Sequence, residues 1–255
     1  MEKSFLINSF AIRSFRDVAD ADYVAARMAF RARLNSQFLW SGLQAIEKYL
    51  KCILLLNRVK AKYLQHDLGE GLRLVKQCLP FDVRLREPSE KLVAHLDTYG
   101  RFRYLEAPYH VDHFQLPELD MAVWDLRRYC QIINYEIDLS NGQKKPMLDL
   151  EIKKIEESEK LLPQAFKLIG GTLEKIIEDK NNPAREPLLW QNLFFGKRAR
   201  KGLRVKGYMH YTNVPLLAHP EILDEILMYI KLPKDAITAY RAALVDQSCR
   251  LGPTK

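Results

Sequence analysis

The sequence predicts an all-α protein: an antiparallel, up-and-down helical bundle with a mostly helical C-terminal extension. Apolar residues recur every three or four positions in five N-terminal segments, which is the spacing of one face of a helix. Proline, glycine and asparagine fall between these segments, where helices begin and end. Five helices with one apolar stripe each can close a bundle.

The five helices of the bundle can be placed in order. Asp20 puts negative charge near the positive end of the first helix, and Asn35 can end that helix. The second helix has the most regular apolar spacing. Pro80 ends the third, Gly100 stops the fourth and Pro117 opens the fifth. The predicted bounds are 20–34, 36–57, 67–79, 89–99 and 117–139.

A turn-rich polar stretch, residues 140–146, predicts the boundary between two domains. The bundle would occupy residues 1–139 and the C-terminal helical region residues 147–255. Residues 184–219 are irregular, and the alternating run 203–206 within them predicts a short strand. Further helices are expected at 148–162, 164–179, 220–231 and 235–247.

The composition indicates which partners and which cellular compartment to expect. The 40 basic and 32 acidic residues give a net charge of +8, which permits phosphate-bearing partners. The four cysteines are far apart and form no Cys-x-x-Cys pair, which fits a reducing compartment. The longest apolar run, Cys52 to Leu56, is too short to cross a bilayer, and the N-terminus lacks the apolar region of a signal peptide. We therefore expect a cytoplasmic protein with no membrane partner.

The aperiodic stretch 101–115 contains the residues that best fit catalysis. Arg103 and His110 enclose six residues. A histidine can move a proton near neutral pH, and an arginine can hold a phosphate through two parallel hydrogen bonds. Glu106 and Asp112 could orient the imidazole. The alternative is an exposed loop in which Arg103 pairs with Glu106 or Asp112.

The second and third helices resemble a known family. The run Gln44-Ala-Ile-Glu-Lys-Tyr-Leu-Lys51, followed by His66-Asp-Leu68, is similar to the pattern of the HEPN domain (higher eukaryotes and prokaryotes nucleotide-binding). That family also carries an arginine, four to six residues and a histidine just before or on its last helix, where Arg103 and His110 stand. The resemblance covers about residues 20–139.

The resemblance implies a four- or five-helix bundle that dimerises. Many HEPN members are metal-independent endoribonucleases in which the arginine–histidine motifs of two protomers share a cleft, and others are binding or scaffolding modules. Here His110 would be the general acid/base and Arg103 the phosphate binder. Two positions depart from the family pattern: Tyr104 replaces a polar residue, and Asp112 replaces the tyrosine found in toxin–antitoxin members.

Three polar residues lie on one side of the second helix, off its apolar stripe: Glu47, Lys48 and Lys51. Glu47 and Lys51 are four residues apart and can form an ion pair. The three residues either support the cleft near Arg103 or form an ordinary solvated helix face. His66 is expected to cap the start of the third helix.

A basic run lies in the C-terminal region and contains no acidic residue. Such a run either neutralises RNA phosphates or is a solvated surface loop. No Walker loop, dinucleotide fingerprint, nucleophile elbow or metal-ligand spacing occurs, so no cofactor and no metal are predicted. The basic residues are Lys197, Arg198, Arg200, Lys201, Arg204 and Lys206.

Three functions remain open from the sequence. The first is a HEPN-type endoribonuclease of a defence, stress or toxin system, working as a homodimer on RNA. The second is a non-catalytic HEPN module that binds a nucleotide or a protein partner. The third is a helical DNA-binding or scaffold protein that uses the basic run as its main contact. The sequence pattern does not identify the RNA substrate, and it leaves open whether a protein regulates the activity.

Overall fold

The computed structural model describes residues 3–62, 64–100, 108–140, 142–196, 202, 207–212 and 214–251. The chain divides into two compact units. The first contains residues 1–101 and 114–206, and the second contains residues 102–113 and 207–255. Most of the described residues are helical, and the prediction of an all-α helical bundle is confirmed.

Helices and short strands follow one another along the described chain. A π-helical turn, Ile12–Arg16, joins the first two helices, and 3-10 helices occur at Pro163–Ala165 and Pro220–Ile222. The described strands form two antiparallel pairs, β1 with β4 and β2 with β3. In chain order the elements are α1 (Lys3–Ala11), α2 (Asp17–Arg31), α3 (Asn35–Leu56), α4 (Leu68–Cys78), α5 (Glu87–Tyr99), β1 (His110–Asp112), α6 (Gln115–Arg127), β2 (Glu136–Asp138), β3 (Lys144–Pro146), α7 (Leu148–Ser158), α8 (Thr172–Glu178), α9 (Arg185–Leu189), β4 (Met209–Tyr211), α10 (Pro215–Ala218), α11 (Leu223–Leu227) and α12 (Lys234–Leu251).

Helix α3 is the centre of the first unit and packs against α1, α2, α4, α5 and α6. Its predicted apolar stripe is buried. Gly100, directly after α5, lies close enough to α3 that a Cβ atom there would be 2.9 Å from the Cβ of Leu43 and 3.0 Å from the carbonyl oxygen of Leu39. Only glycine allows this approach, which fixes the end of α5 against the central helix.

Two predicted helix bounds in the bundle are wrong. The first helix is preceded by further helix back to Lys3, because residues 3–16 are helical although their apolar residues form no clear stripe. The fifth ends at Arg127 instead of 139. Cys130 and Ile133 continue the apolar spacing and are buried, but they lie in irregular backbone after the helix. Spacing alone cannot separate a helix from a turn that buries the same residues.

The predicted domain boundary, residues 140–146, does not coincide with the division between the two units. It belongs to the hairpin of β2 and β3, whose register pairs Ile137 with Lys145. The described residues beyond it, up to 196, share the first unit with the bundle. Glu174 forms an ion pair with Arg127 of α6, and the amide of Leu173 donates to Asp20 of α2 at 3.3 Å. A polar, turn-rich stretch marks a hairpin here as readily as a linker.

Five charged residues form these connections, and we call them the buried arginine layer: Arg27, Asp120, Asp20, Arg127 and Glu174. Arg27 pairs with Asp120 and also donates to the carbonyl oxygen of Pro187, at 3.0 Å. Arg127 donates to both oxygens of Asp20, at 2.7 and 2.8 Å, and to both oxygens of Glu174, at 2.8 and 2.7 Å. The layer therefore ties α6 to α2 and to α8.

The C-terminal helices are shorter or longer than predicted. The expected helix 164–179 is interrupted by Gly170, whose φ of 69° is left-handed, so that α8 begins only at Thr172. The expected helix 220–231 consists of a 3-10 turn and α11. The helix expected at 235–247 is longer, as α12. The predicted strand 203–206 lies outside the described residues.

The second unit combines the sheet of β1 and β4 with α10, α11 and α12. Its apolar core contains Val214, Leu216, Leu223, Leu232, Ala236 and Tyr240. Among the helices that the structure describes, none has the length and apolarity needed to span a bilayer.

Candidate functional site

The structure describes some of the predicted catalytic residues and not others. Arg103 and Glu106 lie outside the described residues, as does the entire basic run from Lys197 to Lys206 except Gly202. His110 and Asp112 are described and belong to the second unit. The cleft residues Glu47, Lys48 and Lys51 belong to the first unit.

His110 lies at the start of β1 and is half-buried, although the sequence predicted no strand there. The antiparallel register pairs His110 with Tyr211, and their rings are 5.9 Å apart between centroids with planes 31° apart. Val111 points to the other side and is buried, whereas Asp112 is half-buried like His110. Alternation along a strand therefore places His110, Asp112 and the exposed Tyr211 on one face.

Backbone hydrogen bonds hold β1 in place beyond its ends. The amide of His113 donates to the carbonyl oxygen of Tyr208, at 3.0 Å, and the amide of Thr212 donates to that of Tyr109, also at 3.0 Å. The His113 ring also contacts the backbone of Tyr208, with Nδ1 3.1 Å from the carbonyl oxygen. His113 is thus a structural residue at the end of the sheet, which leaves His110 as the histidine on the half-exposed face.

The cleft residues of α3 meet His66 in a second polar group, which we call the Glu47 cluster: Gln44, Glu47, Lys48, Lys51 and His66. Lys51 Nζ donates to Glu47 Oε1 at 2.5 Å, so the ion pair expected from the spacing is present. Glu47 Oε2 is 2.7 Å from His66 Nδ1, and Lys48 Nζ donates to Gln44 Oε1 at 2.9 Å. Lys48 also pairs with Asp22 of α2.

Glu47 is not part of a solvated helix face. Its side chain is 5% exposed, while the His66 side chain that contacts it is 47% exposed. Burial would raise the pKa of Glu47, but the hydrogen bonds from Lys51 and His66 outweigh burial and leave that pKa lowered. Glu47 therefore stays ionised and fixes the imidazole of His66 at the surface.

His66 is not the cap of α4. Asp67 is the N-cap residue, since its Oδ1 accepts from the amide of Glu70 at 2.7 Å. His66 instead has a left-handed backbone, with φ of 54°, and its ring contacts that of Trp40, with 5.4 Å between centroids and 61° between planes. The adjacent aspartate could have indicated this role of His66 from the sequence. Aspartate is the better capping residue, so the histidine is free to make other contacts.

The geometry of His66 suits proton transfer or ligand binding. An ionised carboxylate only accepts hydrogen bonds, so Nδ1 of His66 carries the hydrogen that it shares with Glu47. Among the described residues, Nε2 has no hydrogen-bonding partner, and the ring is half-exposed. No group of three or more histidine, cysteine, aspartate or glutamate side chains within the described part of the chain is arranged to hold a metal ion.

Comparison with known proteins returned no match of any kind: no family model, no curated protein and no solved structure.

Proposed function

We propose that this protein is a metal-independent endoribonuclease of the HEPN type, acting in a defence, stress or toxin system. The observation that supports it most is the position of His110, the histidine of the arginine–histidine motif. It is half-exposed on β1, with Asp112 on the same face and Tyr211 opposite. A half-exposed imidazole can exchange a proton with a bound substrate near neutral pH, which a buried structural histidine cannot.

In the proposed reaction the RNA 2′-oxygen attacks the adjacent phosphorus. A bond forms between phosphorus and the 2′-oxygen, and the bond from phosphorus to the 5′-oxygen breaks. His110 accepts the 2′-hydroxyl proton, and His110 of a second copy supplies the proton that the 5′-oxygen gains. Arg103 holds the phosphate and stabilises its developing negative charge. The products are a 2′,3′-cyclic phosphate and a 5′-hydroxyl.

This mechanism assigns the remaining predicted residues to binding. The basic residues between Lys197 and Lys206 neutralise the RNA backbone. Glu47, Lys48 and Lys51 are assigned a supporting role in RNA binding. Glu106 and Asp112 orient the imidazole of His110. We place the reaction in the cytoplasm, performed by a homodimer that a protein partner regulates.

The test is cleavage of a panel of synthetic RNAs by the purified protein. We expect His110→Ala to lower the cleavage rate by roughly 10²–10⁴-fold, the usual loss of a general acid/base. Arg103→Ala should lower it by about 10²–10³-fold, as for a lost charge-stabilising donor. Cleavage should persist in EDTA, end in a 2′,3′-cyclic phosphate and spare DNA, which lacks the attacking hydroxyl.

The matched control is His210→Ala. His210 is paired with Val111 in the same sheet, so it lies on the face opposite His110. It should leave the rate unchanged. A rate that falls equally in both histidine variants would mean that the sheet, and not His110, is needed.

A non-catalytic binding module is the second candidate. The Glu47 cluster favours it, because His66, Lys48 and Lys51 are partly exposed beside a carboxylate that holds two of them in place. Such an arrangement can recognise a nucleotide without cutting it. If the protein binds RNA but cuts none of the panel, this function replaces the first.

A further inference from the structure

A groove lies in the first unit between α1, the end of α3, the connection after it and α4. Its volume is about 830 Å³, within the range of roughly 300–1,000 Å³ that is usual for small-molecule sites. Its floor and walls are aliphatic, and no aromatic ring occurs among the described residues that line it. The aliphatic lining consists of Ile7, Leu55, Val59, Ala61, Leu64 and Leu74.

Basic residues alternate with apolar ones along one wall of this groove. Arg58, Lys60 and Lys62 are exposed, while Val59 and Ala61 between them are half-buried. This alternation places positive charge at the rim and apolar surface inside. The groove is therefore aliphatic within and cationic at its edge.

Glu70 is the acidic residue among the described lining, and its charge is compensated by a residue outside that lining. Arg73 donates to both of its oxygens, at 2.6 and 2.7 Å. Lys60 has no ion-pair or hydrogen-bonding partner among the described residues. Its ammonium group is therefore available to an anion at the rim.

Arg58 connects two of the elements that form the groove. Its guanidinium donates to the carbonyl oxygen of Leu55 at 2.8 Å, to Asn8 Oδ1 at 2.8 Å and to the carbonyl oxygen of Ser4 at 3.1 Å. These bonds connect the end of α3 to α1. The backbone of Arg58 is left-handed, with φ of 59°, a conformation that persists in a non-glycine residue only where its surroundings impose it. The hydrogen bonds of Arg58 therefore hold these two walls of the groove together.

We propose that this groove binds a single-chain acyl anion, with the chain against the aliphatic lining and the anionic head at Lys60. An acyl chain matches the aliphatic side chains in the described part of the lining. The volume of the groove is sufficient for one such chain, and charge complementarity at the rim favours an anionic head. This site is separate from the proposed ribonuclease residues and does not depend on their activity.

The test is titration of the full-length protein with decanoate, below its micelle concentration, by isothermal calorimetry. Decanoate should bind, and octanoate should bind more weakly by about fourfold for each methylene lost. Decanol, which has the chain but no charge, should bind at least about tenfold more weakly than decanoate, as should decanoate to Lys60→Ala. Leu74→Gln should weaken decanoate and decanol alike.

Lys153→Ala is the matched control, since Lys153 is an exposed lysine of α7 far from the groove lining in sequence. It should leave the affinity unchanged, and circular dichroism should show every variant folded. The proposal is overturned if decanoate does not bind, if decanol binds as tightly, or if Lys60→Ala and Lys153→Ala behave alike. RNA cleavage by Lys60→Ala at the normal rate keeps the two proposals distinguishable.

Discussion

The buried arginine layer and the Glu47 cluster use the same kinds of side chain to different ends. Asp20 and Asp120 are 0% and 1% exposed, and their arginine partners are almost as buried. In the Glu47 cluster only the carboxylate is buried, and its partners Lys51 and His66 are 25% and 47% exposed. The comparison separates charges that hold helices together from charges that can meet a ligand.

The pKa shifts of the carboxylates in the two groups agree with this distinction. In the layer, burial raises the pKa of Asp120 despite the hydrogen bonds from Arg27 and Tyr23. In the cluster, the same penalty at Glu47 is outweighed, and its pKa is lowered. A fully buried pair loses more hydration than a half-exposed one, so its stability depends on every partner being present.

The largest effect should come from breaking the layer. Arg127→Met leaves the carboxylate of Asp20 buried without its main partner, and we expect the free energy of unfolding to fall by about 3–5 kcal/mol. Urea denaturation followed by circular dichroism measures it. The matched control is Arg84→Met, which breaks a 3.0 Å pair with Glu156 in which both side chains are about half exposed. Its loss should stay below about 1 kcal/mol. Equal losses would remove the distinction between the layer and a surface pair.

A smaller effect should come from Glu47→Gln. Because the pKa of Glu47 is lowered in the folded protein, its ionised form stabilises the fold above the ordinary value of 4.5, and this stability is lost as the pH falls through the lowered pKa. At neutral pH we expect Glu47→Gln to lower the free energy of unfolding by about 1 kcal/mol. This is less than for a fully buried hydrogen bond, because the partners of Glu47 are partly exposed. Denaturation curves at pH values above and below 4.5 measure it.

At low pH wild type and Glu47→Gln should converge, since both then carry a neutral side chain at position 47. Glu157→Gln, at an exposed glutamate of α7, should show no such convergence because it shows no loss at any pH. A difference that grew as the pH fell would contradict the assignment of an ionised Glu47.

The smallest effect should come from Lys48→Met. Lys48 and Asp22 are 2.6 Å apart but 21% and 28% exposed, so the pair joins α2 to α3 weakly. We expect a change of no more than about 0.5 kcal/mol in the free energy of unfolding. The change should disappear at roughly 1 M salt, where the screening length is about 3 Å. A loss as large as that of Arg127→Met would make the cluster a structural element like the layer.

The same contrast explains what the sequence could predict. The apolar spacing of α3 gave bounds of 36–57 against the observed Asn35–Leu56, because local burial on one face decides that helix. The pair of Glu47 and Lys51 was predictable for the same reason, since both residues lie on one helix. Spacing along the chain is sufficient wherever the partners are close in sequence.

Partners far apart in the sequence could not be predicted. Asp20 and Arg127 are 107 residues apart, and nothing local marks either as half of a buried pair. The strand at His110 forms only because Tyr211 and its neighbours pair with it. The role of His66 could not be predicted because its partner Glu47 lies on another helix, 19 residues away. Each of these features depends on tertiary contacts that override local pattern.

The pairing of β1 with β4 also determines when this sheet can form during synthesis of the chain. His113 and Tyr208, which extend this pairing, are 95 residues apart. At a translation rate of about 5–20 residues per second, the partner strand follows by roughly 5 to 20 s. During that interval α6, α7, α8 and α9 are made, while the strand that carries His110 has nothing to pair with. The strand that carries His110, the proposed acid–base residue, is therefore completed only after the 95 residues that separate His113 from Tyr208 have been made.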